Sequence, residues 1–281
     1  MSTDINAGTY TDSGTRGQTG FRQSAEAVFD PAGAPAAPSG RVLTLVELRK
    51  MTDTRSGRWL MAVIVAAMFG MVCLVVFAGE KGDRTTPELF LASQTGMSLL
   101  LPVVAILSVT AEWSQRSGLT TFALVPRRSR VIQAKLQAGL ILSAVFVALS
   151  AVVAWGGHAL ALATGNADGG WGIPPALAGT RLLDCAVSIV TGIGFGMLLT
   201  SPILAILALY AVPLVLGILG STVAALDGTM EWLNPGQALS PLSEDAGISA
   251  TEWVRIALNC GMFAVLPFTG GLLALRHREF K

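Results

Sequence analysis

Apolar and polar positions fall in long blocks along this chain. Apolar runs occupy residues 59–79, 89–110, 136–156, 182–200, 202–220 and 256–275, with short polar connections between them. A helix needs about 20 apolar residues to cross a hydrocarbon core of ~30 Å, so the pattern predicts six membrane-spanning helices in an all-α integral membrane fold. Ahead of the first run, 41–58 reads RVLTLVELRKMTDTRSGR. Val42, Leu45, Leu48 and Met51 line one side, and Glu47, Lys50, Asp53 and Arg55 line the others. That stretch predicts an amphipathic elbow helix on the bilayer surface, its basic residues near lipid head groups.

Residues 1–40 are rich in Gly, Ser, Thr, Ala and Pro and carry no apolar periodicity, which predicts a disordered tail. A secretory signal peptide is not expected, because the first apolar run begins only at Trp59, behind a basic stretch. Trp59 itself suits an interfacial aromatic belt. Pro102 predicts a bend in the second span, and Thr200, Ser201 and Pro202 a tight turn between the fourth and fifth. The segment after the third span, HALALATGNADGGWGIPP, reads as an exterior loop that includes His158. Residues 221–251 hold four acids and no Lys or Arg; apolar patches at Met230, Trp232, Leu233, Ala238 and Leu239 predict short helices dipping into the outer leaflet.

Composition agrees with a bilayer-embedded chain. Only 13% of the 281 residues are charged, about half the share of a soluble domain, and mean hydropathy is +0.61. The net charge of +1 carries little information because the charges are segregated along the chain. Arg41, Arg49, Lys50, Arg55, Arg58, Arg116, Arg127, Arg128, Arg130, Lys135, Arg276, Arg278 and Lys281 fall on one side of the six spans. Lys81, Arg84, Arg181 and Arg255 fall on the other. By the positive-inside rule both termini are cytoplasmic. This clustering at span ends is not a nucleic-acid surface.

Several chemistries lack their residues. There is no G-x-x-x-x-G-K-[ST] loop, no H-E-x-x-H and no G-x-S-x-G, and the two histidines, His158 and His277, lie far apart in sequence. The chain is therefore expected to hold no metal, no cofactor and no catalytic site of its own. Cys73, Cys185 and Cys260 all fall in apolar runs and read as small hydrophobes. Gly192 and Gly196 in GIGFG form G-x-x-x-G within an apolar helix, which predicts close helix packing rather than nucleotide binding.

The polar island EWSQRSGLTTFALVPRRSRVIQAK, 112–135, joins the second and third spans. Leu119, Phe122, Ala123 and Leu124 form a short apolar stripe at helical spacing, Arg116 leads into it, and Pro126 stops it. Glu112 and Trp113, then RSGLTT with Gly118, then L-x-P-R-R-x-R and Lys135, resemble the membrane subunits of ABC-2 type transporters, in an actinobacterial-looking form. V-E-L-R-K-x-x-x-x-R-S-x-R-W before the first span is similar to the elbow region of that family.

The resemblance implies a permease subunit of an ATP-driven exporter in a bacterial plasma membrane. It implies a second permease copy, identical or similar, and a separate P-loop ATPase that holds ATP and Mg. It makes 112–126 a coupling helix, with Glu112, Arg116, Gly118, Leu119, Phe122, Pro126, Arg127 and Arg128 as contacts to the ATPase. Glu47, Lys50 and Arg55 become elbow-helix residues that help to hold it. Membrane lipid is the other partner, since the same arginines are also suited to snorkelling anchors.

Charged residues at span ends offer a second set of candidates. Arg181 and Asp184, and Glu252 and Arg255, are each one helical turn apart, and read either as ion pairs at helix ends or as an outer gate. Ser93, Gln94, Thr95 and Ser98 face either a lumen or another helix. Two other functions fit the same pattern: a six-span anchor or sensor subunit without transport, and a secondary transporter.

Overall fold

The computed structural model describes residues 39–80, 84–114, 128–167, 169–223, 225, 227–243 and 247–277, with backbone alone for 112–114, 128, 227 and 275–277. Every regular element among them is helical. A surface helix α1 (Gly40–Asp53) precedes α2 (Arg55–Ala78), α3 (Thr86–Ser114), α4 (Arg128–Ala163), α5 (Pro175–Leu199) and α6 (Pro202–Thr222). Short helices α7 (Asp227–Leu233) and α8 (Pro235–Ala238) and a 3-10 turn (Ser240–Ser243) follow. The last span is α9 (Ala250–Cys260), a π-helical turn (Gly261–Val265) and α10 (Leu266–His277). Six helical segments are long and apolar enough to cross a membrane, so this is a multi-pass membrane protein.

The helix ends follow local chemistry. Ser39 caps α1 by accepting from the Val42 N–H, and Thr54 caps α2 by accepting from the Gly57 N–H at 3.0 Å. Thr54 therefore divides the 41–58 stretch into two helices, and Arg55 opens the first span instead of closing the elbow. The 54–57 cap also brings the chain close to itself: a Cβ on Gly57 would lie 2.1 Å from the Met51 carbonyl oxygen. Thr200 takes a left-handed backbone (φ 54°) and Pro202 starts α6, which makes the expected tight turn. Ser249 and Glu252 form a reciprocal capping box at α9.

α3 is the most enclosed span (56% buried) and α6 the least (11%), so α3 lies at the centre and α6 at the rim. α3 packs on α2, α4 and α5, and α5 packs in turn on α10. The glycines of GIGFG serve two neighbours. A Cβ on Gly192 would come within 2.4 Å of the Pro102 carbonyl oxygen of α3, and one on Gly194 within 2.7 Å of the Phe268 backbone nitrogen of α10. Gly196 again faces α3, at Ile106 and Val109. The G-x-x-x-G pair thus seats α5 on α3, while the glycine between them seats it on α10. The outward face of α6, with Ile203, Leu207, Leu214 and Ile218, is exposed and matches hydrocarbon.

One span far exceeds the length expected from its apolar run. α4 has 36 residues, about 54 Å, far more than a ~30 Å core requires. Its extension carries His158 into the last turns of the helix, where it is 1% exposed and stands edge-on to Trp171 at 4.7 Å. His158 is therefore not a loop residue. The loop folds back instead: Trp155 donates its indole N–H to the Trp171 carbonyl at 3.1 Å, and Thr86 donates its hydroxyl to the Gly170 carbonyl at 2.8 Å.

Candidate functional site

At one end of the bundle, α1 lies against α4 through a face that is polar as well as apolar. Thr44, Glu47 and Met51 are buried, whereas Val42, Leu45 and Val46 are exposed. Of the expected stripe, Val42 and Leu45 are exposed, Leu48 is half-buried and Met51 is buried, and α4 offers polar partners to the buried face. Thr44 donates to Gln137 Oε1 at 2.7 Å, and Lys135 donates to Glu47 Oε2 and to the Ser108 carbonyl of α3, the latter at 2.9 Å. Glu47 also accepts from Lys50 at 2.7 Å. Lys135 is only 2% exposed, so it is a buried cross-link between α1, α3 and α4 and not a cation at the membrane surface.

Residues 115–127 lie outside the described residues, as do the side chains of Glu112 and Arg128. Arg116, Gly118, Leu119, Phe122, Pro126 and Arg127, with the coupling helix expected there, belong to that group. Glu112 falls in the last turn of α3 and Arg128 opens α4.

The opposite end holds the Arg181 cluster. Arg181 is 5% exposed and uses three nitrogens: Nε donates to Gln94 Oε1 of α3 at 3.3 Å, Nη1 to Ser243 Oγ of the 3-10 turn, and Nη2 to Asp184 Oδ2 at 3.2 Å. The pair expected at 181 and 184 is present, and Gln94 and Ser243 extend it into a network across three elements. Gln94 is fully buried, and its Nε2 has no partner. Arg255 and Glu252 do not pair in this way. Glu252 is engaged by the Ser249 cap, and Arg255 donates to Glu231 at 2.9 Å while lying over the Trp232 ring. The short helix α7 provides both of these partners.

Beneath the Arg181 cluster is a partly open cavity of about 340 Å³, lined by α3, α5, α6, α8, the 3-10 turn, α9 and the π turn. Arg181, Asp184, Ser188 and Thr191 make a polar strip along α5, and Phe195, Val212, Leu239 and Phe263 make apolar walls. Two prolines within helices, Pro102 of α3 and Pro213 of α6, also line it. Tyr210 of α6 closes one side by donating its hydroxyl to the Leu99 carbonyl. A groove of about 480 Å³ lies between α2 and α3, and shares Ser98, Arg181 and Ser243 with the cavity. The contact between Arg181 and Ser243 thus lies, with Ser98, where the two spaces adjoin.

Sequence reasoning missed Ser243, Tyr210 and Asn259 as members of this site. Asn259 carried the one local signal: it is an amide in an apolar run, buried here with its Nδ2 donating to the Trp232 and Leu233 carbonyls at 3.3 Å. Among the described residues, no group of His, Cys, Asp and Glu is arranged to hold a metal. Comparison of the chain with protein-family models, curated proteins and solved structures gives no match.

Proposed function

We propose that this protein is the membrane subunit of an ATP-driven exporter of the ABC-2 type. It lies in a bacterial plasma membrane with both termini cytoplasmic, pairs with a second permease copy, and takes its energy from a separate P-loop ATPase. The observation that carries this reading is the Glu47–Lys135 contact, with Lys135 also bonded to the Ser108 carbonyl. It ties the elbow helix to the two spans that flank the basic connection. A push delivered at 112–128 or at α1 would then move α3 and α4 as one body, because a buried ion pair does not slide without exposing a charge. The cavity at the opposite end of α3 supports transport over a bare membrane anchor. Arg127 and Arg128, at the end of that basic stretch of sequence, take the role of contacts to the ATPase.

The test is co-purification of the tagged chain from native membranes under mild detergent with nucleotide present, followed by mass spectrometry. A stoichiometric P-loop ATPase is expected. Arg127→Glu combined with Arg128→Glu is expected to abolish substrate-stimulated ATP hydrolysis while the chain remains folded. Recovery of the chain with no ATPase would overturn the reading.

A further inference from the structure

The walls of the cavity are rich in hydrogen-bond acceptors whose partners are missing. Asp184 accepts from Arg181 through Oδ2 alone, and a carboxylate has room for several more donors. Its side chain is 14% exposed against 6% for Arg181, and it lines the cavity. Two backbone carbonyls add to this. Proline has no N–H, so Pro102 leaves the Ser98 carbonyl, and Pro213 the Leu209 carbonyl, without the usual helical donor four residues on. Ser98 and Leu209 both line the same cavity. Asn259 spends its amide hydrogens on the Trp232 and Leu233 carbonyls, which leaves its oxygen as an acceptor.

Part of the donor set is committed. Three of the five Arg181 N–H groups, one each on Nε, Nη1 and Nη2, go to protein acceptors, while Ser188 and Thr191 add hydroxyls that both donate and accept. The Tyr210 hydroxyl is spent on Leu99 and the Ser98 hydroxyl on Thr95. Opposite the acceptors stand Phe195, Val212, Leu239 and Phe263. The volume is in the range that holds a drug-sized molecule, roughly 300–1,000 Å³.

We propose that this cavity binds an amphiphilic organic cation, a protonated amine on an apolar or aromatic body, with the ammonium on the free face of the Asp184 carboxylate and the body between Phe195 and Phe263. An ammonium brings several donors and one positive charge to a wall that supplies acceptors. The guanidinium of Arg181 also lines the cavity, but it is the more buried partner of the pair and is bonded to Gln94 and Ser243 as well as to Asp184. An anion would meet a guanidinium whose side chain is only 6% exposed, with three of its five N–H groups already committed. The proposal names the substrate class for the export reading above and rests on that reading for transport, but binding itself needs no ATPase.

The experiment is equilibrium dialysis on the full chain in lipid nanodiscs without nucleotide. The probes are naphthylethylamine, its neutral analogue naphthylethanol and the anion naphthylacetate. The amine is expected to bind saturably and about tenfold or more tighter than the alcohol, the effect of one hydrogen bond to a charged group, with the acid weakest. Asp184→Asn is expected to remove the preference for the amine. Ser188→Leu, which narrows the cavity and leaves both charges in place, is expected to weaken amine and alcohol alike. Equal binding of amine and alcohol to the unaltered chain would overturn the proposal whether or not the variants fold, as would tightest binding of the acid. Amine binding by a chain that recruits no ATPase would keep this site and remove the exporter reading; an ATPase partner with no amine preference would do the reverse.

Discussion

The Lys135 ammonium and the Glu47 carboxylate meet across 88 positions of sequence, with their side chains 3% and 4% exposed. Such a pair costs desolvation of both groups and is worth keeping only where its geometry matters. Here it fixes α1 against α4 with Val42, Leu45 and Val46 on the exposed face.

The two halves of this pair are not equivalent. Glu47 has a second cation in Lys50, so Lys135→Met leaves the carboxylate with a partner. Glu47→Leu takes the carboxylate from the buried Lys135 ammonium. Glu47→Leu is expected to cost about 3–5 kcal/mol, and Lys135→Met clearly less. Thermal unfolding of the two variants in detergent checks the order; equal losses would show that Lys50 contributes nothing.

Glycines on the helix seams and on the open surface should separate sharply. Gly192→Ala and Gly194→Ala each drive a methyl into the backbone of a neighbouring helix and are expected to cost about 1–3 kcal/mol. At Gly70 an added Cβ meets nothing within 4 Å, and Gly70→Ala is expected to leave stability unchanged. The same unfolding measurement applies, and a Gly194→Ala variant as stable as Gly70→Ala would refute the packing account.

Ser243→Ala removes the hydroxyl that closes Arg181 over the cavity. Of the three cysteines, Cys260 alone lines that cavity. Alkylation of Cys260 by a water-soluble maleimide is expected to rise several-fold in Ser243→Ala, with Cys185 still protected by burial. Labelling at an unchanged rate would mean that the contact does not limit access to the cavity.

The pair between Arg255 and Glu231 is a different case, since Glu231 is half exposed. Glu231→Gln is expected to cost less than about 1 kcal/mol, and less still at high salt. A loss comparable with that of Glu47→Leu would require a role for Glu231 beyond the pair.

Run length and hydropathy determined the number of spans, because crossing a hydrocarbon core is a constraint on length that each run meets alone. The turn at Thr200–Pro202 and the seam at Gly192 and Gly196 were legible for the same reason: a fixed backbone shape or a missing side chain acts locally. Partner choice was not legible. Lys135 reads as a surface cation until α1 brings Glu47 beside it, and Arg255 reads as the neighbour of Glu252 until α7 supplies Glu231. His158 reads as a loop residue because glycines precede it, yet α4 runs on past it and packing on Trp171 encloses it. The cavity is likewise a product of assembly. Its prolines are visible one helix at a time, but only the packing of α3, α5, α6 and α9 turns them toward a common space. A charge or an unsatisfied carbonyl must find a complement, and in a helix bundle that complement comes from whichever helix arrives next to it.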